Sequence, residues 1–178
     1  MNILLNPFRG PSRTGGEWFS VGVVSSFPDL GLDETESEPQ PQLCGNQGAQ
    51  PGCKVFHVPK TDSSQRTEVE IPPDDTVQDL TDQVLVFQYR GKFHAIDHQC
   101  PHSSYPLSQG TPFDIEDFGI VLSAGLTCPK HNWSFDLFSG RSDRGNYKLK
   151  IWEVQLRETE GTTTDDKEVW VRRKPRIG

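Results

Sequence analysis

Two short runs in this chain pair a thiol with an imidazole: Cys100-Pro101-His102 and Cys128-Pro129-Lys130-His131. One or two residues between the members of a pair let a single loop present both side chains to one centre. Thiolate sulfur and imidazole nitrogen are ligands for zinc and iron, and thiolates hold iron–sulfur clusters. Pro101 and Pro129 restrict the backbone beside each cysteine, so the ligands are partly preorganised. A structural zinc site also takes two Cys and two His. Its usual spacing joins Cys to Cys and His to His, whereas each loop here mixes them. A Cys100–Cys128 disulfide would leave both histidines unexplained.

Loops of this kind need rigid stems. Val84–Tyr89, the turn Arg90-Gly91 and Lys92–Asp97 read as a β-hairpin with apolar residues throughout its first arm, ending three residues before Cys100. Gly119–Ser123 reads as a strand, and Leu126-Thr127 leads into the second run. Ser134–Leu137 and Phe138-Ser139-Gly140 follow as a strand and a turn. Lys148–Val154 and Glu168–Val171 close the sheet around a Glu160–Asp166 loop, while Glu17–Val24 and Lys54–Val58 supply earlier strands. No internal repeat is present.

The chain has 178 residues, 33% hydrophobic and 24% charged, with 16 Gly and 14 Pro. That suits one loop-rich β domain over a helical bundle. Residues 1–16 read as a flexible arm, 17–172 as the domain, and 173–178 as a basic tail. Two polar insertions, about 28–53 and 59–83, are too poor in apolar residues to fold alone. A formal charge of −7 argues against a nucleic-acid partner. It favours a basic patch on a protein partner instead. No run of 18 apolar residues or secretory signal is present, so no membrane association is expected. With two of four cysteines in metal-type spacings, a reducing compartment is expected. That means the cytoplasm, with the mitochondrial matrix as the alternative. Cys44 and Cys53 read as unconnected thiols, with a disulfide closing their loop as the alternative.

The two Cys/His runs, the hairpin ending Phe93-His94-Ala95-Ile96 and the run Trp133–Gly140 together resemble the Rieske family. The resemblance implies an all-β Rieske fold: antiparallel sheets, a cluster-binding subdomain at one tip and, here, two long insertions. It implies one 2Fe–2S cluster per chain. Cys100 and Cys128 would bind one iron, and His102 and His131 the other. The high-potential respiratory type carries an additional cysteine in each ligand loop, paired as a disulfide, where this chain has Tyr105 and Lys130. That type also places hydroxyl donors where this chain has Trp133 and Phe135. Fewer donors predict a potential near the low end of the roughly −150 to +300 mV Rieske range. Asn132 stands where the family places Gly, and Asn tolerates left-handed backbone angles best among residues bearing a side chain.

The function implied is a ferredoxin-like one-electron carrier, a monomer with no catalytic residues of its own. It would pass electrons from a flavoprotein reductase to an oxygenase or other acceptor. An oxygenase proper needs a mononuclear iron on two histidines and a carboxylate. Only His57, His94 and His98 are left over, and 47 residues follow His131. A cluster-bearing regulatory or sensor subunit of a larger redox complex is the alternative. His57 and His94 read as packing or surface residues and His98 as a second-layer contact. Trp133 and Tyr105 read as shields or partner contacts; Trp18, Trp152 and Trp170 read as core.

Overall fold

A computed structural model of the protein describes residues 16–31, 52–71, 79–161 and 165–175. The expected N-terminal arm (save residue 16), Cys44 with most of the first insertion, the centre of the 160–166 loop and the end of the basic tail lie outside the described residues.

In chain order the strands are β1 (Phe19–Val23), β2 (Asp29–Leu30), β3 (Cys53–His57), β4 (Thr67–Val69), β5 (Gln83–Tyr89), β6 (Lys92–Asp97), β7 (Thr111–Asp117), β8 (Ile120–Thr127), β9 (Ser134–Asp136), β10 (Glu153–Glu158) and β11 (Lys167–Arg172). They form three sheets: β1-β11-β10; β2, β3, β4 and β6 around β5; and β7-β8-β9. Pairing is antiparallel except for the two-residue β2–β5 contact.

The apolar run in β5 follows from its place between two cores. Side chains alternate across a strand. Leu85, Phe87 and Tyr89 face one core with Cys100, Leu126, Cys128 and Phe135. Val84 and Val86 face the other with Phe19, Trp152, Val169 and Val171. A strand covered on both faces has no polar side to show. The first core packs the central sheet against the β7-β8-β9 layer, and both candidate ligand cysteines are part of it.

Several elements differ from the sequence expectation. Strand β7 is new; Pro112 and the acids Asp114, Glu116 and Asp117 hid it, and its pairing with β8 reveals it. Residues Lys148–Ile151 are not continuous strand. They cross between layers with isolated bridges, Arg141↔Lys148 and Ile96↔Ile151, and β10 starts only at Glu153. Within the second insertion, β4 pairs with β3 and so extends the central sheet. Cys53 is disulfide-bonded rather than free.

Of the three tryptophans expected in the core, only Trp152 is buried. Trp18 and Trp170 are half-buried beside Arg157 and Arg172: Arg157 lies 4.2 Å from the Trp170 ring centre and Arg172 4.7 Å from that of Trp18. Along β11 the inward positions belong to Val169 and Val171, which sends Trp170 to the outer face.

Candidate metal centre

The first ligand loop leaves β6 and the second joins β8 to β9, so paired strands anchor both. The two loops share one backbone design. In the first, the Cys100 amide donates to Tyr105 O (2.9 Å) and the Ser104 amide to Cys100 O (2.9 Å). In the second, the Cys128 amide donates to Trp133 O (2.9 Å) and the Asn132 amide to Cys128 O (3.0 Å). The residue four past each cysteine is left-handed, Ser104 at φ 56° and Asn132 at φ 59°. Asn132 thus takes the backbone angle expected of it where the family has Gly.

These turns bring Cys100 to Cys128 and His102 to His131. Cys100 and Cys128 are buried and free. A hydrogen bond from Cys128 holds Cys100 as thiolate, down to about 5 against the cost of burial, with help from the Ser103 hydroxyl and nearby amides. Giving that bond, together with burial, pushes Cys128 up. A buried thiolate held by a neighbouring thiol invites a cation. The His102 and His131 rings are 5.1 Å apart between centres, nearly edge to face. His102 is half-buried, and its Nδ1 has no hydrogen-bond partner. An orphaned buried nitrogen two residues along from a buried thiolate fits a metal ligand. Among the described residues, no group of three or more His, Cys, Asp or Glu side chains surrounds a common point. Two sulfurs and, separately, two imidazoles suit a centre with two metals.

The surroundings complete the site. Trp133 stacks on His102, with 3.8 Å between ring centres and 10° between planes, and Tyr147 meets both rings edge-on. Gly145, left-handed at φ 65°, keeps this contact open, because a Cβ there would come 3.0 Å from the Trp133 ring. His131 is exposed. The two histidines are therefore unequal, one roofed by aromatics and the other open to water. Tyr105 packs under Lys130 instead, with Nζ 5.7 Å from its ring centre. The sequence reading missed Ser103, whose Oγ lies 3.8 Å from Cys128 Sγ and places a hydroxyl beside the sulfurs. Its signal was its place next to His102.

The remaining histidines are not drawn into the centre. His98 is buried and bonded through Nδ1 to Gln83 Oε1 and through Nε2 to Ser108 Oγ, each at 2.8 Å. Gln83 donates its amide nitrogen to Asp79 O, so its oxygen faces His98 and Nδ1 carries the proton. Burial pushes His98 down to about 4, so it is neutral. It ties the start of β5 to the turn Leu107–Gln109 beneath the first ligand loop. His94 stacks on Phe87, and burial first, then Lys92, push it down to about 4. A separate cleft of about 980 Å³ beside Phe19 and Trp152 contains none of the four ligand candidates.

Mixed thiolate and imidazole donors on two matched loops at the edge of a β core suit a binuclear iron–sulfur site. A family model, Rieske [2Fe-2S] domain, matches residues 62–153, just over half the chain. The chain belongs to this family, and its cofactor is a Rieske-type 2Fe–2S cluster. It is 32% identical to apoptosis-inducing factor 3 of Mus musculus over 61% of this chain. It is likewise 32% identical to the methanesulfonate monooxygenase ferredoxin subunit of Methylosulfonomonas methylovora over 44% of this chain. The chain spans only 14% of the first relative and 57% of the second. A solved complex of reduced oxygenase and oxidized ferredoxin in carbazole 1,9a-dioxygenase contains a chain matched at TM-score 0.46 and 16% identity, over 90% of this chain and 97% of that one.

Proposed function

We propose that the protein is a one-electron carrier of low potential, in which Cys100 and Cys128 hold one iron and His102 and His131 the other. It would accept electrons from a flavin-dependent reductase and hand them to an oxygenase or another acceptor. The observation that supports this reading is the pairing of Cys100 with Cys128 and of His102 with His131 across two identically bonded turns. When bound, the cluster supplies reversible one-electron chemistry.

The chain's own residues set the terms of that exchange. The two buried sulfurs form the inner side of the site and the imidazoles its outer side. His131 is the edge a partner can approach, because Trp133 and Tyr147 keep water and partners off His102. Ser103 offers a hydroxyl to the sulfurs, while Trp133 and Phe135 occupy the places of two others. Phe135 is fully buried and offers no donor. On balance the added electron is weakly stabilised. Ferredoxin components among the relatives, such as that of the Xanthobacter autotrophicus alkene monooxygenase system, support an oxygenase-type acceptor.

Absorption and EPR spectra of the purified protein, as isolated and after dithionite reduction, test the reading. A Rieske-type reduced signal is expected, with a redox titration giving a midpoint below zero. A colourless, zinc-loaded protein without that signal defeats the ligand assignment; a midpoint well above zero defeats the low-potential assignment alone.

A further inference from the structure

The β7–β8 hairpin, which joins the two ligand loops, ends in a turn that packing within the chain does not explain. Asp117 pairs with Ile120, so the turn is the dipeptide Phe118-Gly119, left-handed at both residues with φ 50° and 75°. Such a turn favours Asn or Asp before the Gly. A bulky aromatic at the first position is strained. Phe118 gains no burial in return, being 97% exposed. Ile120, Val121 and Leu122 come next along β8, each at least half exposed. The tip therefore shows water an apolar patch on the order of a few hundred Å², a size that is often functional on a monomer.

The same tip is acidic. In the β7–β8 ladder Glu116 lies opposite Val121 and Asp117 opposite Ile120, and both acids are exposed. Among the described residues neither forms an ion pair, whereas Asp114, nearer the core on the same strand, pairs with Arg90. Residues 93–129 contain no Lys or Arg, so the hairpin carries no cation of its own. Strand β8 runs from Ile120 to Thr127 and leads directly into Cys128. At about 3.4 Å per residue the tip stands roughly 25 Å along the strand from that ligand.

We propose that the β7–β8 tip docks a partner protein whose contact surface is apolar with a rim of lysine or arginine. Charge complementarity selects this occupant. A second copy of the chain would bring four unpaired carboxylates together with no cation of either hairpin between them, and like charges so placed repel. A basic rim instead meets Glu116 and Asp117 with opposite charge, while the apolar centre covers Phe118, Ile120 and Leu122. The basic partner that net charge suggests thus acquires a place on the fold. A protein held there leaves the His131 edge free, so attachment and electron exchange occupy opposite ends of one hairpin. The docking does not depend on the cluster assignment.

Synthetic peptides serve as probes of the tip. Amide shifts of the isotope-labelled, oxidised holoprotein are followed with an amphipathic leucine–lysine peptide, its leucine–glutamate counterpart and a serine–lysine peptide of the same charge as the first. The leucine–lysine peptide should shift the amides of residues 115–122 and bind about tenfold more tightly than either of the others. Phe118→Ser/Leu122→Ser should weaken it about tenfold, as loss of an apolar anchor does. Glu116→Lys/Asp117→Lys should weaken it about fivefold and let the leucine–glutamate peptide bind. Glu68→Lys/Glu70→Lys, the same charge change at exposed residues elsewhere, should leave the affinity within about twofold, because salt screens distant charges. Shifts away from the tip, equal binding of the three peptides, or tip variants that behave like the wild type overturn the proposal. Sedimentation of the wild type as a dimer that Phe118→Ser/Leu122→Ser dissociates also overturns it, in favour of a second copy. Flotation with phosphatidylcholine vesicles that the same variant abolishes overturns it in favour of a membrane surface.

Discussion

The two ligand loops are near copies in backbone and differ in what they carry. In each, the cysteine amide binds the carbonyl five residues on, and a left-handed residue closes the turn. The aromatic at that fifth position reaches across to the other loop: Trp133 covers His102, and Tyr105 lies under Lys130. The histidine, however, sits two residues after Cys100 and three after Cys128. That one-residue offset puts His102 beneath an aromatic roof and His131 in the open, with a lysine in the place that matches His102. The turn positions the ligands; the residues hung on it make one loop closed and neutral, the other open and charged.

Replacing either histidine tests whether the loops are equal as ligand holders. His102→Ser and His131→Ser should both abolish the Rieske EPR spectrum, whereas His98→Ala should leave a cluster, since His98 binds Gln83 and Ser108. Survival of the signal in either serine variant would remove that histidine from the ligand set.

The frame beneath the loops offers the next largest effect. Burial holds His94 neutral, with a folded pKa near 4 against an ordinary 6.5. The unfolded chain binds the extra proton first on acidification, so stability conferred by the neutral imidazole is complete above about pH 6.5 and lost as pH falls toward 4. The loss is at most about 3 kcal/mol. Denaturant unfolding of wild type and His94→Phe at pH 7 and 4.5 should show a shallower pH dependence in the variant. Parallel pH dependences would remove His94 as the cause.

Smaller shifts separate the loops electronically. Ser103→Ala removes a hydroxyl beside Cys128 Sγ and should lower the midpoint potential by about 60 mV, equivalent to roughly 1.4 kcal/mol for one electron. Trp133→Ala admits water to His102, stabilises the added charge, and should raise the potential by several tens of millivolts, on the order of 1 kcal/mol. Tyr105→Ala should move it less. Equal shifts from Trp133 and Tyr105 would erase the asymmetry. The finest distinction concerns the left-handed residues. Ser104→Gly relieves more strain than Asn132→Gly, because Asn already tolerates that region. Their thermal stabilities should differ by a few tenths of a kcal/mol, Ser104→Gly gaining more.

Much of this was legible beforehand, for identifiable reasons. The β5–β6 hairpin announced itself through a run of apolar and β-prone residues around Arg90-Gly91, and the four ligand candidates through donor type and spacing. Strand β7 was hidden because an edge strand facing water can carry acids and a proline that read as loop. Trp18 and Trp170 were misplaced because composition cannot say which face of an edge sheet is covered. The Arg141–Lys148 opposition is invisible without the turn that folds one onto the other.

The linear order of residues determined by itself which donors share a loop, because one or two intervening residues cannot carry side chains of the same turn far apart. It also determined that Asn132 would accept the left-handed angle, a property of its own short polar side chain. Only the tertiary structure decided which aromatic covers which histidine, because that depends on two loops separated by the β7–β8 hairpin meeting across a core. The same packing set Arg144 over Trp133 behind the second loop and turned Lys148 and Lys150 toward the cleft beside Phe19 and Trp152. Charge acts through space, and the distances that matter to it are set by the fold.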